Sequence, residues 1–124
     1  MNTKEMNIIS LAYLGDAVYE LQIREFLIKK GIAKVEELMK ESVKFVSAKN
    51  QCRILNSLIE NNLLTDEEKN IVNRGRNYKR SSHPKNTDII TYKLSTGFEA
   101  LIGYLYLENS PRLTTIMNYV MEEK

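Results

Sequence analysis

Asp16 and Glu99 are the residues of this chain whose surroundings could support chemistry. Asp16 lies in LAYLGDAVYE (11–20), directly after Gly15 and among Leu11, Leu14 and Val18. Glu99 lies in STGFEALIGYLYL (95–107), between Phe98 and Ala100 and one turn before Gly103. Each stretch sets an acid within one turn of a Gly in a largely apolar run. An ionised carboxylate in an apolar site is costly unless something compensates it. Three readings stand for Asp16: a solvated face, an ion pair with a buried Arg or Lys, or a metal ion. Its neighbours at helical spacing are Ile9, Ala12, Tyr13, Glu20 and Ile23. They are mostly apolar and supply no cation, which weighs against the solvated face. Gly15 costs a helix about 1 kcal/mol relative to Ala, a cost worth keeping where another backbone or a ligand must come close. Two such helices packed through their apolar faces would bring Asp16 and Glu99 together. Adjacent carboxylates repel unless a divalent cation lies between them. Carboxylate oxygens suit Mg²⁺, which takes few protein ligands and keeps several waters. On spacing alone, structural ion pairs remain the competing reading for both acids.

The second candidate is RGRNYKRSSHPK (74–85), where Arg74, Arg76, Lys79, Arg80 and Lys85 are interrupted by no acid. Net charge is only +2, and the acids gather elsewhere, as in VEELMKE (35–41) and TDEEK (65–69). A basic block in a near-neutral chain is a candidate phosphate-binding surface, set against the plain reading of a solvated loop. His83 in that loop is read as solvated. Cys52, the only cysteine, excludes a disulfide framework and is read as buried. Tyr104 and Tyr106 are read as core or interface residues.

The 124 residues suggest a single domain spanning 1–124, and 43% hydrophobic content makes it globular. No secretory h-region follows the N-terminus, and the apolar run 100–107 is too short to cross a bilayer. A soluble cytoplasmic protein is the expectation, without a membrane partner.

The elements that position the acids follow from periodicity. Residues 8, 11, 14, 18 and 21 predict a helix over 7–30, stopped by Gly31. A short helix is predicted near 34–40 and another over about 44–61, with Phe45, Ala48, Cys52, Leu55, Leu58 and Ile59 facing inward. Thr65 and Glu68 form a capping box that opens the next helix, running toward Tyr78. After the loop 79–86, a helix is predicted over about 88–108, with Leu94, Phe98, Leu101, Ile102 and Leu105 on its apolar face. Ser110 is expected to cap a last helix with Pro111 at its first position. Alternating strand patterns and repeats are absent, so the fold is expected to be all-α.

LGDAVYE resembles the first catalytic helix of the ribonuclease III family, and FEALIGYLYL resembles the second, where an acid precedes Ala-x-x-Gly. VSAKNQCRIL (46–55), RGRNYK (74–79) and PKNTDIITYKLSTGFEALIGYLYLE (84–108) resemble Mini-III ribonucleases, the short bacterial branch. The resemblance runs from about Leu11 to Glu108. It implies an all-α helical bundle, a homodimer, and Mg²⁺-dependent hydrolysis of double-stranded RNA to 5′-phosphate and 3′-hydroxyl ends. It implies Asp16 and Glu99 as catalytic residues and metal ligands, one from each helix. Arg74, Arg76, Lys79, Arg80 and Lys85 would then contact RNA phosphates, and Glu20 and Thr96 are candidates to act through water.

Two departures from the wider family matter. Ile9, Ala12 and Thr96 stand where most members have acids, a thinning that Mini-III members share. The chain also ends soon after its last helix, so an appended double-stranded RNA-binding domain is not expected. The expected substrate is precursor large-subunit ribosomal RNA, with a large-subunit ribosomal protein as a further candidate partner. The apolar Leu11–Leu21 face is a candidate dimer contact. The alternative is a non-catalytic module that binds double-stranded RNA or serves a structural role on the ribosome.

Overall fold

The computed structural model describes residues 2–79 and 88–122, which form six α-helices after a 3-10 turn at Thr3–Glu5. The helices are α1 (Ile8–Lys29), α2 (Val35–Val46), α3 (Ala48–Glu60), α4 (Asp66–Arg76), α5 (Ile89–Glu108) and α6 (Ser110–Glu122). Local chemistry sets most of these boundaries. The Asn7 side chain accepts the Ile9 amide at 2.8 Å and opens α1. Past its end, Gly31 takes a φ of +100°, a left-handed conformation open to glycine. Thr65 and Glu68 close the expected capping box reciprocally, at 3.1 and 2.9 Å. Asp88 caps α5 by accepting from the Thr91 amide at 2.9 Å.

Three sequence expectations shift. Helix α2 runs on to Val46, so Phe45 belongs to it, and the break falls at Ser47, whose hydroxyl caps α3. The inward stripe of α3 is Gln51, Ile54, Leu55 and Leu58; Cys52 is half-buried and Ile59 faces outward. At α6 the side-chain cap is Asn109, which accepts the Arg112 amide at 3.1 Å, while the Ser110 hydroxyl bonds back to the Tyr106 carbonyl.

Helix α5 is the hub. Every residue from Ser95 to Leu105 except Glu99 is buried, and α1, α3, α4 and α6 pack around it. A helix that is apolar nearly all round belongs inside a fold. Tyr19 of α1 meets Phe98 of α5 edge-to-face, with ring centroids 5.1 Å apart. The Tyr19 hydroxyl donates to the Phe45 carbonyl at 3.0 Å, so burying its polar tip leaves no bond unmade, and burial holds the phenol well above its ordinary pKa. Glu68, 4% exposed, is held by a forked Arg112 guanidinium at 2.7 and 2.8 Å, which fastens α6 to α4.

Candidate active site

The glycines beside the two acids explain how the helices meet. A Cβ on Gly15 would collide with the Glu99 carbonyl, and one on Gly103 would collide with the Leu11 carbonyl. Residue 15 therefore meets 99 while residue 11 meets 103, so α1 and α5 run antiparallel with their backbones in contact. Any side chain at either glycine would push the helices apart. The about 1 kcal/mol that Gly15 costs its helix is offset by this approach. Asp16 is the next residue along α1, and Glu99 is the residue of α5 whose carbonyl touches Gly15. The crossing thus sets the two acids on neighbouring backbone.

Asp16 itself is exposed, which corrects its expected apolar setting. Of its helical neighbours, Ala12 and Ile23 turn into the core, while Tyr13 turns to solvent and Glu20 lies at the boundary. Asp16 sits on the rim of the buried stripe and escapes the desolvation penalty. Glu99 is half-buried, and its Oε2 accepts from Gln51 Nε2 at 3.4 Å. Gln51 is 2% exposed and its Nε2 also donates to the Val46 carbonyl at 3.1 Å. Its Oε1 is buried without a hydrogen-bond partner among the described residues. The sequence reading missed Gln51. The signal was a polar residue in register with Ile54, Leu55 and Leu58 on an apolar stripe.

The other candidates are placed as follows. Glu20 accepts from Arg24 at 2.8 Å in a surface ion pair one turn along α1. Thr96 is buried on the side of α5 that meets α4, and its hydroxyl donates to the Tyr92 carbonyl at 3.0 Å. Arg76 ends α4 and is exposed, and Lys79 just beyond it is exposed too. Arg74 has a structural task that the sequence did not suggest. Its guanidinium donates to the Lys4 carbonyl at 2.8 Å and the Met6 carbonyl at 3.1 Å, pinning the N-terminal segment to α4. Arg80, His83 and Lys85 lie outside the described residues. Tyr104 is buried, with its hydroxyl donating to Glu67, and Tyr106 is exposed. Burial pushes the half-buried Cys52 thiol up in pKa, so a reactive thiolate is disfavoured.

Among the described residues, no group of three or more His, Cys, Asp or Glu side chains is arranged to hold a metal ion. Among the described residues, a closed site of zinc type is not formed. Two carboxylates, one of them open to water, fit Mg²⁺ better, because it is bound through one or two carboxylates with waters and substrate phosphate completing its shell. No described helix is long and apolar enough to cross a membrane.

The Ribonuclease III domain family matches residues 9–110, which include both acids. The Mini-ribonuclease 3 of Streptococcus pneumoniae is 44% identical over 119 residues, covering 95% of this chain and 93% of that protein. The Mini-ribonuclease 3 of Brevibacillus brevis is 50% identical over 101 residues, covering 82% of this chain and 74% of its own. A crystal structure of a protein from Fusobacterium nucleatum superposes with a TM-score of 0.87 at 31% identity, covering 98% of this chain and 99% of that one.

Proposed function

The chain belongs to the ribonuclease III family, in its Mini-ribonuclease 3 branch, and from that premise we propose how its residues cut double-stranded RNA. It is an endoribonuclease, and Asp16 and Glu99 are the residues that would hold Mg²⁺. A divalent cation held there would supply Lewis-acid chemistry, lowering the pKa of a bound water and offsetting charge on the phosphate oxygens. The observation that carries this reading is the Gly15–Glu99 crossing, which sets an exposed acid beside a half-buried one. The exposure of Asp16 leaves the cation reachable by a phosphate of the duplex. Glu99, gripped from inside by Gln51, keeps its carboxylate oriented. With two carboxylates as the protein's charged donors, the remaining positions would be left to waters and the RNA phosphate.

Arg76 and Lys79, with Arg80 and Lys85, neutralise phosphates of the duplex. An A-form helix offers these and the 2′-hydroxyls across its shallow groove, so recognition is mainly by shape. A homodimer suits a substrate with two related strands, each subunit cutting one. Tyr13 and Leu21, 84% and 67% exposed on the outward face of α1, are the apolar residues to bury in it; Leu11, fully buried, is not. The substrate is precursor large-subunit ribosomal RNA in the cytoplasm, and a large-subunit ribosomal protein is the candidate partner for shaping it.

The test is cleavage of a long RNA duplex by purified protein, with Mg²⁺ and with a chelator. Asp16→Asn and Glu99→Gln should each lose cleavage by at least about 10²-fold while keeping the fold, a loss of the size that follows from removing one preorganised charged group. Salt-sensitive duplex binding without cleavage by the unsubstituted protein would instead support the non-catalytic module.

A further inference from the structure

Gln51 is a buried polar residue of α3 whose side-chain amide is only partly satisfied among the described residues. Its side chain lies on the stripe that α3 buries with Ile54, Leu55 and Leu58. Such a position ordinarily takes Leu or Met. The amide carries a penalty that an apolar residue would avoid, because its Oε1 is buried with no hydrogen-bond partner among the described residues. Ordering a Gln side chain adds a further entropic cost that Leu bears less of. Folding gives this amide a reason for one of its two donors only, the one that reaches the Val46 carbonyl.

Nε2 carries two protons and directs them to two fixed points. One is the Val46 carbonyl, at the end of α2 where helix geometry supplies no partner. The other is Oε2 of Glu99, on α5. The amide thus bridges the α2–α3 junction to one acid of the crossing. The anchor on Val46 fixes the amide plane, and the fixed plane fixes the carboxylate.

Building on the reading of Asp16 and Glu99 as the cation-holding pair, we propose that Gln51 is a positioning residue that holds the Glu99 carboxylate in its binding orientation before a cation arrives. Partners of this kind behind a ligating group typically matter by 10–100-fold in affinity or activity. The site has few charged ligands, so the orientation of each one counts more.

The experiment compares Gln51→Met with the unsubstituted protein, with Asp16→Asn and Glu99→Gln as references. Three quantities are read: the thermal midpoint, Mg²⁺ binding to RNA-free protein by calorimetry, and kcat and KM on an RNA duplex. Gln51→Met is expected to melt within a few degrees of the unsubstituted protein, because it removes the unsatisfied Oε1 but also leaves the Val46 carbonyl without its donor. Its Mg²⁺ affinity should fall about 10-fold and kcat by a similar factor, with KM for the duplex unchanged. The Gln51 side-chain amide resonances should also move in Glu99→Gln, as they must if the two side chains are bonded. Unaltered Mg²⁺ binding and kcat in Gln51→Met, beside references that lose both, would overturn the inference. So would a loss of activity that follows the fall in folded fraction while Mg²⁺ affinity stays unaltered, which would mean a structural role. References that still bind Mg²⁺ and cleave would instead overturn the assignment of the acids themselves.

Discussion

Replacing Gly15 by Ala tests the helix crossing with one methyl group. A Cβ at residue 15 would lie 2.7 Å from the Glu99 carbonyl carbon, 2.8 Å from the Gly103 amide nitrogen, and closer still to the Glu99 carbonyl oxygen. Ordinary non-bonded contacts sit near 3.5–4.0 Å, so α5 would have to retreat by on the order of 1 Å. The clashing atoms are backbone, so no side chain can rotate away. Overpacking of this kind costs about 3 kcal/mol at the upper end of its usual range. Removing a mid-helix glycine returns about 1 kcal/mol. The net expectation is a loss of about 2 kcal/mol, read by urea unfolding under far-ultraviolet circular dichroism. The thermal midpoint should fall by roughly 6–10 °C for a domain of this size. Because Asp16 and Glu99 flank the contact, a 1 Å displacement should also lower cleavage by about 10²-fold in the protein that remains folded. Gly103→Ala perturbs the same crossing through the Leu11 carbonyl, so the double variant should lose less than the sum of the singles. A Gly15→Ala protein that gains about 1 kcal/mol, as a free helix would, and cleaves at the unsubstituted rate would refute the close approach.

Arg112→Met should cost about 3 kcal/mol, because it leaves the Glu68 carboxylate buried without its cation. Burial alone would raise the Glu68 pKa, but the Arg112 and Thr65 bonds more than offset it and hold it below the ordinary value. The associated stability is present above the unfolded pKa near about 4.3 and is lost as pH falls through the lower folded value. Urea unfolding from neutral to acid pH should show that acid-side loss shrinking in the variant; an unaltered acid limb would refute the pairing. In the basic block, Arg76→Gln and Lys79→Gln should each flatten the salt dependence of duplex binding by about one unit of slope, with stability changed by under about 0.5 kcal/mol. Arg74→Ala should instead lose about 1 kcal/mol of stability, because its guanidinium ties Lys4 and Met6 to α4. The opposite pattern would exchange these roles.

The sequence by itself determined the helices, their main signals and the two acids. Thr65 and Glu68 act within one turn, and the spacing of apolar residues in α1 reports a face that is buried whatever the partner. A helix and its caps are local objects, so local chemistry suffices to read them. The composition of an acid beside a Gly was legible for the same reason. Which side of that stripe Asp16 occupies was not. Only the antiparallel crossing with α5 decided that Gly15 faces the partner backbone while Asp16 faces water. Helix α5 is apolar nearly all round, so its own pattern could not say which face meets α1 and which meets α4. The break at Ser47 was hidden because the apolar spacing of Phe45 with Ala48 and Cys52 runs through it without interruption. Gln51 stood out in sequence only as a polar residue on an apolar stripe, and what it and Arg74 bond to depended on tertiary structure. One acquires a role from a carboxylate 48 positions away and the other from carbonyls 70 and 68 positions away. A hydrogen bond between residues so distant leaves no periodic trace in the chain, because its geometry exists only once the intervening helices have packed.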